Sequence, residues 1–185
     1  MNLLTTEIQG VFVIEPSVYP DHRGFFMESY NQKMFENNGI LYEFIQDNHS
    51  YSKEKGVIRG LHYQLNPKAQ TKLVRVASGS VYDVMVDLRH DSDTFGQWIG
   101  VLLSDENHRQ VLVPRGIAHG FCTLVPGTTV LYKVDEYYDP SLDRGIMWND
   151  PHLNIDWPVT SPILSGKDRN LPPFNQAEFH FSIKE

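Results

Sequence analysis

Short runs of β-branched and aromatic residues, each ended by turn chemistry, fill most of this chain. Val11–Ile14, Gly24–Tyr30, Tyr42–Tyr51, Gly56–Leu65, Lys72–Ala77, Ser80–Leu88, Gln97–Leu103, Gln110–Pro114, Ala118–Leu124 and Thr128–Tyr138 all read as strands. Ser78-Gly79, Asp93-Thr94-Phe95-Gly96, Ser104-Asp105-Glu106-Asn107 and Pro126-Gly127 separate them. Many short strands with close turns imply an antiparallel barrel or sandwich. One short helix fits the pattern: Asn31 caps it, Met34 and Phe35 give it an apolar side, and Asn38-Gly39 ends it. After Asp139 the prolines Pro140, Pro151, Pro158, Pro162, Pro172 and Pro173 exclude long ladders. That tail is expected to wrap the barrel. No linker divides the chain, so residues 1–185 are expected to form one domain.

The bulk properties narrow the function classes. At 185 residues, 41% hydrophobic and 21% charged, the chain has the composition of a soluble globular protein. No apolar run is long enough for a transmembrane helix, and the start Met1-Asn2-Leu3-Leu4-Thr5-Thr6-Glu7 has no signal-peptide pattern. A net charge of −7 argues against nucleic acid or an anionic membrane as partner. It leaves room for a phosphorylated small ligand held by a few local cations. The single cysteine, Cys122, reads as a small core residue, and a cytoplasmic location is expected.

Several polar side chains fall on otherwise apolar strand faces. Strict alternation puts Ile58, Gly60, His62 and Gln64 on one face, unless Gly60 carries a bulge. Lys72 begins a row with Val74 and Val76; Tyr132 shares a face with Val130 and Val134; His119 shares one with Ile117 and Phe121. In Ser80–Leu88, Asp83 and Asp87 fall opposite the row Tyr82, Val84, Val86, Leu88. Taken singly, each has an ordinary structural explanation: a hydrogen-bonded core histidine, a snorkelling lysine, an amphipathic core tyrosine. Together they supply a base, an acid and a cation. Lys167 and Asp168 lie in a charged stretch of the tail, where a carboxylate can orient a histidine. Arg23 and Arg59 have the geometry for a diphosphate. His62 and His119 have no further convincing ligands in their motifs, so no metal is expected.

The motifs Asp21-x-Arg23-Gly24-x-Phe26, Gln46-Asp47-Asn48-x-Ser50, Val57-x-Arg59-Gly60-Leu61-His62-x-Gln64, Lys72-Leu73-Val74, Pro114-x-Gly116-x-Ala118-His119-Gly120-Phe121, Tyr132 and Ser165-x-Lys167-Asp168 occur in order from about Gly10 to Leu171. Together they closely resemble the dTDP-4-dehydrorhamnose 3,5-epimerase family. The resemblance implies an all-β, cupin-type jelly-roll barrel and a homodimer working without cofactor or metal. It implies inversion of dTDP-4-dehydro-6-deoxy-D-glucose at C3 and C5, in dTDP-L-rhamnose biosynthesis. By motif, His62 resembles the general base, Tyr132 the general acid, Asp168 the partner of His62, and Lys72 the enolate stabiliser with His119 beside it. Arg23, Phe26, Glu28, Gln46, Asp47, Asn48, Arg59 and Lys167 resemble substrate contacts. Asp143 stands where many members carry Glu, as a further substrate contact. A mono-epimerase or 3,4-ketoisomerase of 4-keto nucleotide sugars, or a non-catalytic sugar-binding cupin, are the alternatives.

Overall fold

A computed structural model describes residues 1–183. In chain order its strands are β1 (Asn2–Thr5), β2 (Phe12–Glu15), β3 (Val18–Asp21), β4 (Gly24–Met27), β5 (Gln46–Ser52), β6 (Ile58–Gln64), β7 (Lys72–Ser78), β8 (Ser80–Asp87), β9 (Trp98–Ser104), β10 (Gln110–Val113), β11 (Ile117–Thr123), β12 (Thr128–Val134) and β13 (Asp143–Gly145). One sheet runs β1-β2-β10-β7-β12-β5, the other β13-β6-β11-β8-β9, and β3-β4 form a separate hairpin. The two large sheets pack face to face without closing into a continuous ladder. This is the jelly-roll class that the resemblance implies.

The alternation of side chains builds three apolar layers. Val74, Val76 and Val130 from one sheet meet Val81, Met85 and Phe121 from the other, filling the space between them. The outer face of the β13-to-β9 sheet carries Ile58, Leu61, Val84, Val86 and Leu88. The C-terminal tail covers it with Leu153, Trp157, Phe174 and Phe181. The outer face of the other sheet is covered around Ile14, Leu73 and Leu112 by Phe35 of helix α1 (Gln32–Asn37), with Tyr42 and Phe44. The Asn31 side chain accepts from the Met34 N–H, the expected cap.

The structure departs from the sequence reading in particular places. Tyr42–Ile45 is not strand: Tyr42 and Phe44 pack sideways into the α1 layer, and β5 begins at Gln46. The ladder expected over Thr128–Tyr138 stops at Val134. Strands β1, β3 and β13 are additional; they are short, and their pairing decides them more than their composition does. In β8 the carboxylate-bearing face is not a polar face. Val81 and Met85 on it are fully buried, and so are Asp83 and Asp87, because both sides of this central strand are covered.

Gly60 sets the phase of β6. His119 of β11 pairs with His62, but Phe121 pairs with Arg59, so Gly60 and Leu61 together face Gly120. Ile58, Leu61 and Tyr63 therefore all stay in the outer core, while Arg59 and His62 both turn inward. Each large buried apolar side chain stabilises by about 1.5–3 kcal/mol, so the outer core fixes this register firmly. Gly60 has φ +127°, and a Cβ there would lie 2.6 Å from the Gly120 Cα and 2.8 Å from the His119 carbonyl oxygen. Backbone cannot yield as a side chain can. Gly60→Ala is expected to lower stability by about 2–4 kcal/mol and to displace His62. Denaturant unfolding measures the first effect; an unchanged unfolding midpoint would refute it.

Candidate active site

Alternation on three strands of one sheet brings polar groups to its inner face. Gln46, Asn48 and Ser50 of β5, Lys72 of β7 and Tyr132 of β12 line one wall of a cavity between the sheets. Tyr132 pairs with Asn48 on one side and Val74 on the other, which holds the phenol one step along from Lys72. The facing wall comes from the other sheet: Arg59 and His62 of β6, and His119 of β11. Two connected lobes of about 340 and 260 Å³ share His62, Lys72, Tyr132 and Lys167.

His62 Nε2 lies 2.6 Å from Asp168 Oδ1. Asp168 opens a 3-10 turn (Asp168–Asn170) that folds over β6, and it is only 4% exposed. Burial pushes its carboxyl up, but the hydrogen bond and charge of His62, helped by Ser165 and Lys167, outweigh burial and hold it below the usual carboxylate range. Ionised Asp168 accepts from Nε2–H, so the proton-accepting lone pair of His62 is on Nδ1. The stability contributed by the lowered carboxyl is present above the ordinary carboxylate range and is lost as pH falls through its own, lower value.

Lys72 Nζ approaches the His62 carbonyl oxygen at 3.4 Å. Burial pushes the ammonium down to about 8, against the opposing pull of Asp143 and Asp83. Burial pushes the Tyr132 phenol up, so it stays protonated where Lys72 does not. His119 sits directly opposite His62 in the ladder and bonds the fully buried Asp83 at 2.9 Å and 3.1 Å. Sequence reasoning gave Asp83 no role at the site, although its alternation with Val81 and Met85 on one face of β8 was the available signal. Asp143 accepts from Tyr138 at 2.9 Å and contacts the Lys167 ammonium.

Not every expected residue reaches this cavity. Asp47 falls on the outer face of β5 and bonds Lys133 at 2.7 Å, since it alternates with Gln46 and Asn48. Arg23 and Phe26 stand on the exposed β3–β4 hairpin, Arg23 paired with Asp21. Glu28, just after the hairpin, accepts from Asn31. Among the described residues, no group of three or more His, Cys, Asp or Glu side chains converges as a metal site would require.

A family model described as dTDP-4-dehydrorhamnose 3,5-epimerase matches residues 5–176. The chain belongs to the dTDP-4-dehydrorhamnose 3,5-epimerase family. The curated enzyme of that name from Shigella flexneri is 54% identical over 97% of this chain and 99% of its own. A crystal structure of the Bacillus anthracis enzyme, with TDP and PPi bound, superimposes with a TM-score of 0.92 at 60% identity, covering 93% of this chain and 98% of that one. The Legionella pneumophila epimerase, in complex with dTDP-4-keto-L-rhamnose, matches with a TM-score of 0.90 at 47% identity, over 95% and 93% of the two chains.

The Lys72 environment makes a measurable statement independent of any ligand. Its ammonium should carry charge below pH 8 and lose it above. An Nζ titration by nitrogen-15 NMR should give a midpoint near 8; a midpoint in the ordinary lysine range would mean the group is solvated rather than held in the cavity.

Proposed function

We propose that this chain acts as one catalytic domain that epimerises dTDP-4-dehydro-6-deoxy-D-glucose at C3 and C5 to dTDP-4-dehydro-L-rhamnose, with His62 as base and Tyr132 as acid. The observation that carries the roles is their placement on opposing sheets across one cavity, with Lys72 and His119 between the same walls. In a 4-keto sugar, C3 and C5 flank the ketone, so loss of either proton gives an enolate with charge on the C4 oxygen. Histidine is a weak base for that step. A preorganised donor such as Lys72, aimed at the developing oxyanion, contributes about 3 kcal/mol. Inversion then needs a proton from the opposite face, where the protonated Tyr132 phenol stands. Asp168 holds the His62 tautomer. Gln46, Asn48 and Arg59 line the cavity as sugar and phosphate contacts, with Lys167 at its rim. After each inversion His62 gives up the abstracted proton to solvent and the Tyr132 phenolate regains one, which resets the pair for the second carbon.

The hairpin residues fit a second part of the proposal. Phe26 is 66% exposed, Tyr19 61% and Phe25 55% on a hairpin outside both sheets. A two-stranded hairpin is marginal alone, and exposed aromatics of this size ask for cover. In a homodimer the partner would cover them. We infer that Arg23, Phe26, Glu28 and Asp47 serve the nucleotide end of the ligand in that assembly, and that the enzyme works in the cytoplasm. Arg23→Ala is expected to raise KM about tenfold or more with kcat little changed. Steady-state kinetics measures this, and an unchanged KM would remove Arg23 from the binding site.

The chemistry is tested by incubating substrate in deuterated water and reading each carbon. His62→Ala should retain the fold and lose exchange at both carbons. Tyr132→Phe keeps the ring's packing and removes the hydroxyl. It should still admit deuterium, returned by His62 with retained configuration, and give little inverted product. Wild-type inversion rates in Tyr132→Phe would make Tyr132 a packing residue.

A further inference from the structure

We infer that Asp143 is a positioning residue that holds the base dyad in place by gripping Lys167, the neighbour of Asp168. The inference rests on the roles proposed above for His62 and Asp168. Asp143 begins β13, the edge strand beside β6. Asp143 pairs with Gln64 and Gly145 with His62, so the Asp143 side chain shares the cavity face of the strand that carries the base. Reciprocal backbone bonds between Leu61 and Ile146, at 3.2 Å and 3.0 Å, lock the two strands together.

The tail segment that supplies Asp168 is attached by few bonds. Its own bonds are local: the Asp168 N–H to Ser165 Oγ at 3.0 Å, the Arg169 N–H to the Ser165 carbonyl at 3.2 Å, and Asn170 Nδ2 to the Gly166 carbonyl at 2.7 Å. These shape the turn without fixing it against the sheet. Among the described residues, two polar contacts tie residues 164–171 to the strands: Asp168 with His62, and Lys167 with Asp143. Gly145 completes the seat. A Cβ there would lie 2.8 Å from both Leu171 methyls, so the bare backbone lets the end of this segment settle on β13.

With Lys167 held, Asp168 is constrained from both sides, by its neighbour's anchor and by its own bond to His62. Backbone bonds at Ile163, with Gly56 and Ile58, and at Pro172, with Met147, hold the two ends of the segment. With Lys167 free, the His62–Asp168 bond is the polar side-chain tie left between those ends among the described residues, working against the conformational entropy of the residues between them. Asp143 Oδ2 takes both Tyr138 and Lys167, and Asp143 also lines the cavity. A direct substrate contact is therefore the rival role, and the test must separate the two.

A double-mutant cycle does so. Asp143→Asn alone should cut kcat for deuterium wash-in about 10- to 100-fold, with KM little changed, because small displacements of a catalytic group carry losses of this order. In an Asp168→Asn background the further loss should shrink to about twofold, because the residue through which Asp143 acts is already disabled. Asp143→Glu, which keeps the charge, should recover part of the rate. Equal losses in both backgrounds, or a rise in KM at constant kcat, would overturn the inference in favour of substrate contact. Lys167→Met tests the same link from its other end and decides the matter if Asp143→Asn does not fold. A readout free of turnover accompanies the cycle: the downfield proton resonance of His62 Nε2–H should broaden in Asp143→Asn and Lys167→Met. Its persistence unchanged in both would also overturn the inference. Absence of wash-in by the wild type would count against the proposed reaction, while the resonance would still report on Asp143.

Discussion

The close approach of Gly60 to Gly120 is the constraint on which the site depends. A regular β6 would place Arg59 with Leu61 and Tyr63, and His62 with Ile58. The outer core requires Ile58, Leu61 and Tyr63 on one side. Only an inserted residue reconciles that demand with two inward polar groups, and only glycine leaves room for it against the β11 backbone. The extra residue thus lets one short strand serve the apolar layer and the cavity together. Everything that meets His62, including the Asp168 turn and β13, is arranged around that solution.

Two facing sheets give the cavity a property that a single sheet could not. Groups on β6 and β11 enter the cavity from one side, and groups on β7 and β12 from the other. An inversion requires that separation, since a proton must leave one face and arrive at its opposite. The cavity walls also keep the cation short of water: burial pulls Lys72 down to about 8. That desolvation disfavours the charged ammonium in the free protein. It also means that a charge developing nearby interacts through less water, where a donor acts more strongly. Asp143 and Asp83 moderate the shift, so the half-buried cation is not left unsupported.

Much of this was legible in the chain, for reasons that differ by residue. Asn31 and Phe35 follow local rules, and α1 is where those rules put it. The inward rows of Lys72 and Tyr132 follow from a period of two along regular strands. At Gly60 the chain left two phases open, strict alternation or a bulge, and the register against β11 decides for the bulge. Asp47 is named by motif, while its alternation with Gln46 and Asn48 puts it on the other face of β5, away from the cavity they line. The pairing of Asp83 with His119 joins residues far apart in sequence and depends on β8 lying next to β11. No local pattern encodes that adjacency. The same holds for β13, three residues with no strand signal of their own, which pair because β6 presents a free edge.

The Pro-rich tail shows how a segment without ladders can still carry chemistry. Its apolar residues Leu153, Trp157, Phe174 and Phe181 bury the outer face of one sheet, which anchors the tail on both sides of the Asp168 turn. Ile163 bridges Val57 beside β6, and beyond that single bridge residues 164–171 make no ladder among the described residues, so the chain can reach over the edge of the sheet and deliver a carboxylate to the cavity side. A ladder residue could not do this, because its side chain is committed to one face. The tail is therefore a cover for the hydrophobic layer and the source of the carboxylate that meets His62. The two roles need each other: the buried anchors give the turn its origin, and Asp168 is the hydrogen-bonding partner of the His62 side chain among the described residues.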